Sequence, residues 1–216
     1  MSAFKEAIEL GVNTLELDVA ITKDNEVVVS HDPFMSRTIC FNPKGEEIPK
    51  SMDMKHNLYK MSHNEIKAFD CGSKFHPTYP YQIKVKSCKP LLAQVFDLVK
   101  FENPEVKINI EIKSKPAYYD FYTPQPKKHV AIILSEIIEH RMFDHVNLQS
   151  FDLAILEEIK KQSSKMKVAL LVDDNETIKH KLAKLSYKPE IISPYYKLLT
   201  LQKVRDYQEK KYQIIP

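Results

Sequence analysis

The sequence predicts an α/β protein in which a largely parallel sheet is covered by helices. Two observations lead there. From Leu91 onward, short strand-like runs alternate with helical runs of about 10–15 residues, the rhythm of β–α units. Two strand-like runs, 14–21 and 107–112, alternate strictly between apolar and polar residues. A (β/α) barrel and an open doubly wound sheet both satisfy this pattern, and six strands can be counted besides the short run 27–29. At 216 residues the chain suits one domain with a sizeable core.

The elements follow in order. Ala3, Phe4, Ala7 and Ile8 recur at helical spacing and Gly11 is a helix stop. In 14–21, Leu15, Leu17, Val19 and Ile21 face one way and Glu16, Asp18 and Ala20 the other. Residues 23–26 form a turn and Val27–Val29 a short second strand. Residues 34–90, rich in Pro, Lys, Tyr and Met, break the rhythm. With a single helix near 62–69, they read as an inserted lobe or lid. Helices are then expected at 91–101, 126–140, 152–161, 176–185 and 200–210. Strands are expected at 107–112, 146–150, 167–172, 190–193 and 212–215.

Composition excludes several classes of function. A net charge of +3, with no basic stripe interleaved with aromatics, argues against nucleic acid. No apolar run approaches the length of a membrane helix, so stable membrane insertion is not expected. The opening "MSAFKEAIELG" is not a signal peptide, and the compartment stays open. Three cysteines without a CxxC pair argue against a disulfide framework and against zinc. With only Gly11, Gly45 and Gly72, a glycine-rich phosphate loop is impossible, which disfavours Rossmann and P-loop nucleotide binding.

The chemistry gathers on the two alternating strands. Ile108, Ile110 and Ile112 share one face of 107–112, and Asn109, Glu111 and Lys113 the other. Taken singly, each strand also suits a half-exposed sheet with a solvated charged face. In a helix-covered parallel sheet, however, the apolar face packs on the helices, and Glu16, Asp18 and Glu111 turn toward one interior. Unpaired carboxylates there need a proton, a basic partner or a cation. Lys113 offsets one. A hard divalent ion, Ca²⁺, Mg²⁺ or Mn²⁺, suits the rest, because all-oxygen ligands favour such ions over zinc. Positions i and i+2 of a strand lie roughly 6.6 Å apart, close enough for Glu16 and Asp18 to share it. His31–Asp32 reads equally well as a loop cap.

The stretch "AFKEAIELGVNTLELDVAITKDNEVVVSHDP" resembles the glycerophosphodiester phosphodiesterase family. That family shows an Ala-Phe helix, a Gly, then Glu-x-Asp-Val, Thr-Lys-Asp, Val-Val and His-Asp. "INIEIK" is similar to its Glu-Ile-Lys strand and "LQSFD" to its Gln-Ser-Phe strand end, in order along nearly the whole chain. The resemblance implies a TIM (β/α)8-type barrel, with 34–90 inserted after the second strand and the site at the C-terminal strand ends. It implies Glu16, Asp18 and Glu111 as ligands of a divalent cation (Ca²⁺ or Mg²⁺). It implies His31 as one of two acid/base histidines, Lys113 as a phosphate holder, and Gln149 and Phe151 at the substrate pocket. The implied activity is metal-dependent hydrolysis of a small glycerophosphodiester to glycerol 3-phosphate and an alcohol.

The family also opens with a His-Arg-Gly strand and a Pro-Glu-Asn-Thr turn, and runs on into Trp-Thr-Val-Asn; none of these motifs is present here. Residues 1–216 are therefore expected to be a fragment of one barrel domain, incomplete at its first and last strands, whose activity in isolation is in doubt. Two other readings stand beside this one. One is a phospholipase C- or D-like enzyme acting on intact lipids, for which Phe75, Tyr79 and Tyr81 would face the membrane, although the lysines and prolines of the lobe read more easily as a water-soluble lid. The other is a noncatalytic module that binds cations or phosphate esters.

Overall fold

The computed structural model describes residues 1–216. The strands are β1 (Thr14–Ile21), β2 (Val27–Val29), β3 (Lys107–Ile112), β4 (Val146–Ser150), β5 (Lys167–Val172), β6 (Ile191–Pro194) and β7 (Gln213–Ile214). The helices are α1 (Ser2–Glu9), α2 (His63–Lys67), α3 (Leu92–Glu102), α4 (Pro126–Glu139), α5 (Leu153–Gln162), α6 (Ile178–Leu182) and α7 (Leu201–Glu209). One seven-stranded sheet runs β2-β1-β3-β4-β5-β6-β7. Six strands are parallel, and β2 folds back antiparallel on β1 through Val19↔Val29 and Ile21↔Val27.

This order decides between the two architectures. From β3 on, each new strand joins the same edge, whereas a doubly wound sheet reverses direction at a switch point. Glu16 on β1, Ser193 on β6 and Ile215 beyond β7 line one cleft of about 560 Å³. In a flat sheet β1 and β6 would stand roughly 19 Å apart at 4.8 Å per strand. The sheet therefore curls around a shared interior in the manner of a TIM barrel. It is not closed by hydrogen bonds; β2 and β7 are its edges.

The apolar faces lie as the alternation requires. Leu15, Leu17, Val19 and Ile21 join Ile108, Ile110 and Ile112 in the main core, against Val95, Phe96 and Val99 of α3 and Ile133 and Ile137 of α4. At about 25 cal/mol per Å² of apolar area, this layer is the main source of stability. Gly11 ends α1 at φ +83°, a left-handed conformation that glycine adopts without strain. Residue 176–185 proves to hold a shorter helix than the periodicity predicts. After Leu182 the chain tightens into i→i−3 turns, Lys184 N–H to Lys181 O and Leu185 N–H to Leu182 O.

The segment between β2 and α3 has a small core of its own. Met35, Cys40, Ile48, Leu58, Ile66 and Phe69 pack with Ala20 and Val28. The short helix α2 carries a full capping box between Ser62 and Glu65. Here one expectation is overturned: Cys40 and Cys71 form a disulfide, with S–S 2.06 Å, leaving Cys88 free and exposed. Their separation of 31 positions hides the pairing from spacing rules, and only the folded lobe brings the two sulfurs together.

Candidate active site

The polar faces of β1, β3 and β4 form two layers across the interior. In one, Glu16, Asn109 and Asn147 are successive register partners; in the next, Asp18, Glu111 and Gln149. The Asn147 side-chain amide donates to Asn109 Oδ1 and seals the lower layer. The upper layer stands nearer the C-terminal strand ends.

Glu16, Asp18 and Glu111 converge there, each offering a carboxylate oxygen within 4.8 Å of the others. Lys113 Nζ lies 2.9 Å from Glu111 Oε1 and 3.2 Å from Asp18 Oδ1. Gln149 Nε2 donates to Glu16 Oε1 at 3.0 Å. Partial desolvation, then the charge of Asp18, raises the Glu16 carboxyl above its ordinary pKa; Lys113 and Gln149 oppose this. Burial raises Glu111 likewise, against the pull of Lys113. Burial works against the Lys113 charge, yet Glu111 and Asp18 outweigh it and hold its pKa above the ordinary value.

Three ionised carboxylates facing one ammonium leave two negative charges. That deficit, the all-oxygen donor set and the spacing fit a hard divalent cation. Glu16, Asp18 and Glu111 could hold one, and a magnesium-sized or calcium-sized ion both suit these donors.

Phe151 and Gln149 line the same cleft. Phe151 is held by its neighbours on either side. Ser150 Oγ donates to Ile112 O at 2.8 Å and accepts from Asp152 N–H at 3.1 Å. Asp152 caps α5 by accepting from Ala154 N–H at 3.0 Å, and its other oxygen accepts from the Tyr119 hydroxyl at 2.6 Å. Lys181 Nζ lies 5.3 Å from the centre of the Phe151 ring.

His31 does not join the carboxylates directly. Its side chain is 73% exposed and Nδ1 sits 3.1 Å from Asp32 Oδ1. The segment is fixed from behind, because Ser30 N–H donates to Asp18 O at 2.9 Å, tying His31 to β1. Ser30 Oγ donates to Asp32 O at 2.5 Å and accepts from buried Lys89 Nζ at 2.7 Å. Sequence reasoning missed Lys89, Ser30 and Asn147, and gave Asn109 a face but no role. Asn109 was visible as an inward neighbour of Glu111; Lys89, 59 positions from Ser30, gave no signal.

A strongly curled parallel sheet with a carboxylate trio and a lysine at its C-terminal strand ends defines a TIM-barrel protein with a candidate cation site at that end. Residues 1–211 match the glycerophosphoryl diester phosphodiesterase family, and the chain belongs to that family.

The glycerophosphodiester phosphodiesterase of Caldanaerobacter subterraneus subsp. tengcongensis is 31% identical over 171 residues, covering 79% of this chain and 59% of the relative. Lysophospholipase D GDPD1 of Mus musculus is 34% identical over 113 residues, covering 52% of this chain and 31% of the relative. The chain thus spans well under two thirds of the length of both curated relatives. Among solved structures, an Oleispira antarctica phosphodiesterase in complex with the product sn-glycerol-3-phosphate superposes with a TM-score of 0.72. Its identity is 19%, over 99% of this chain and 75% of that one. A glycerophosphodiester phosphodiesterase from Thermotoga maritima gives a TM-score of 0.64 at 24% identity, over 99% of this chain and 76% of that one. At these identities the two structures speak for the fold alone. No helix is long and apolar enough to cross a membrane.

Proposed function

We propose that the protein to which this chain belongs hydrolyses glycerophosphodiesters to glycerol 3-phosphate and an alcohol, with a divalent cation held by Glu16, Asp18 and Glu111. The convergence of those three carboxylates within 4.8 Å, beside Lys113, carries the reading. A bound cation would neutralise phosphoryl charge and polarise a phosphoryl oxygen.

The side chains have complementary tasks. The Lys113 ammonium has three donors, two of them engaged by Glu111 and Asp18, so the third is left for a phosphate oxygen. That donor stabilises charge gathering in the transition state. Ionised Asp32 accepts only, so Nδ1 of His31 carries the hydrogen and Nε2 is the nitrogen that exchanges a proton with substrate. Gln149 steadies Glu16, and the Phe151 ring forms an apolar wall for the glycerol carbons. His31 supplies one of the two proton transfers that the reaction needs.

Release of glycerol 3-phosphate from glycerophosphocholine, with Mg²⁺ or Ca²⁺ or with chelator, tests the proposal on the full-length protein. Glu16→Ala and Glu111→Ala are each expected to abolish cation-dependent turnover. Wild-type rates in either variant would overturn the ligand assignment. Substrate binding without turnover by the unaltered protein would favour the noncatalytic reading instead.

A further inference from the structure

The lobe between β2 and α3 presents a loop whose base is tightly built and whose tip is bare. At the base, Asp70 Oδ1 accepts from the N–H groups of Gly72, Ser73 and Ser87 at 3.0, 3.2 and 3.2 Å. Cys71 N–H donates to Ser87 O at 2.7 Å and Val85 N–H to Gly72 O at 3.2 Å, closing the neck. A Cβ on Gly72 would lie 2.0 Å from Val85 O, so only glycine lets the two strands of the neck approach this closely. The Cys40–Cys71 disulfide anchors the neck to the rest of the lobe.

Beyond the neck every residue from Pro77 to Lys86 is exposed. Tyr79 is 64%, Tyr81 96% and Ile83 82% accessible, with Phe75 and Val85 also exposed. A single exposed apolar side chain means nothing, but five within eleven positions on one ordered loop form an uncovered patch. Its charge is one-sided. Between Cys71 and Leu91 stand four lysines and no Asp or Glu. Lys74 is engaged by Arg37 O and Glu47, and Lys89 is buried on Ser30, which leaves Lys84 and Lys86 at the tip. Lys84 Nζ lies 5.1 Å from the Phe75 ring, its stem along apolar surface and its charge at the edge.

Tyrosines with an apolar ring and a wet hydroxyl, aliphatic side chains beside them, and flanking lysines suit the boundary between lipid and water. The absence of acid selects negatively charged headgroups. We propose that the loop Phe75–Lys86 docks on an anionic lipid surface. The lobe that carries it leans on the segment after β3, through Asn57 Nδ2 to Phe121 O at 2.6 Å and Lys60 Nζ to Asp120 O at 3.3 Å. It therefore belongs to the carboxylate end of the strands. Docking goes beyond the proposed hydrolysis and needs no turnover.

The chain contains no tryptophan, so Tyr81→Trp installs a single reporter. Its emission is measured with phosphatidylcholine vesicles, with and without phosphatidylglycerol. Phe101→Trp, at the exposed end of α3, serves as the reference position. A blue shift is expected for Tyr81→Trp with the anionic vesicles and none for Phe101→Trp. Adding Lys84→Glu and Lys86→Glu should remove the shift, since each lysine near such a surface strengthens binding about fivefold. Unmoved emission from Tyr81→Trp would overturn the proposal, as it would if the loop instead seats a protein partner. An equal shift at Phe101→Trp, or one that survives the charge reversal, would overturn it too. Hydrolysis of a soluble diester by Tyr81→Trp reports separately on the active site.

Discussion

Asp18 and Glu111 are register partners on adjacent parallel strands, and the ammonium of Lys113 bridges them at 3.2 and 2.9 Å. The lysine thus neutralises part of the charge of these two carboxylates, and it leaves Glu16 to Gln149.

Removing that bridge is expected to make folding depend on added cation. Lys113→Met leaves two largely buried carboxylates without their partner, a loss of about 3 kcal/mol. Thermal melts in chelator should show a marked drop in Tm, with Mg²⁺ or Ca²⁺ restoring most of it. Turnover should stay low in either condition, because the proposed phosphate donor is gone. A variant that melts like the unaltered protein in chelator would show that the bridge adds nothing.

Lys89 should make stability rise with alkali. Burial lowers its pKa to about 8, and the charge of Asp32 opposes that only partly. The unfolded chain, with a lysine pKa of about 10.4, binds more protons than the fold between about pH 8 and pH 10, so stability climbs there. Lys89→Met should be the more stable protein near pH 7, by at most about 3 kcal/mol, with the gap closing toward pH 10. Urea midpoints of the two proteins across this range provide the measurement; a constant gap would contradict it.

His129 should act in the opposite pH range. It is fully buried in α4, neither ring nitrogen has a partner, and burial pushes its pKa down to about 3. The unfolded histidine titrates near pH 6.5, so stability is lost as pH falls from there toward 3. His129→Leu fills similar space without an orphaned polar group. It is expected to stabilise by about 1–3 kcal/mol at neutral pH and to flatten the acid limb. Denaturant titrations at neutral and acid pH decide the matter.

The Cys40–Cys71 disulfide should stabilise the lobe above all. Closing a loop of this size is worth about 3–4 kcal/mol through the unfolded state. With Cys40→Ser or a reductant, limited proteolysis is expected to cut first between Gly72 and Ser87, while fragments that hold β3 to β6 persist. First cuts within the strands would mean that the bridge supports the whole fold.

The sheet was largely legible along the chain. Lys107–Ile112, Val146–Ser150 and Lys167–Val172 fall where alternation and apolar runs predict them. Helix ends were less so: the stop at Leu182 depends on how the chain turns toward β6. Within the site, Glu16, Asp18, Glu111 and Lys113 were readable as inward positions of two strands. His31 was readable as a motif but not as a rim residue turned to Asp32.

By itself the sequence determined which face of each strand is polar, because side-chain direction alternates with a period of two whatever the strand later packs against. Only the tertiary structure decided that Asp18 stands opposite Glu111, that Lys89 reaches Ser30 across 59 positions, and that Cys40 meets Cys71. Register, curvature and long-range pairing are set by packing among distant segments, and no local pattern encodes them.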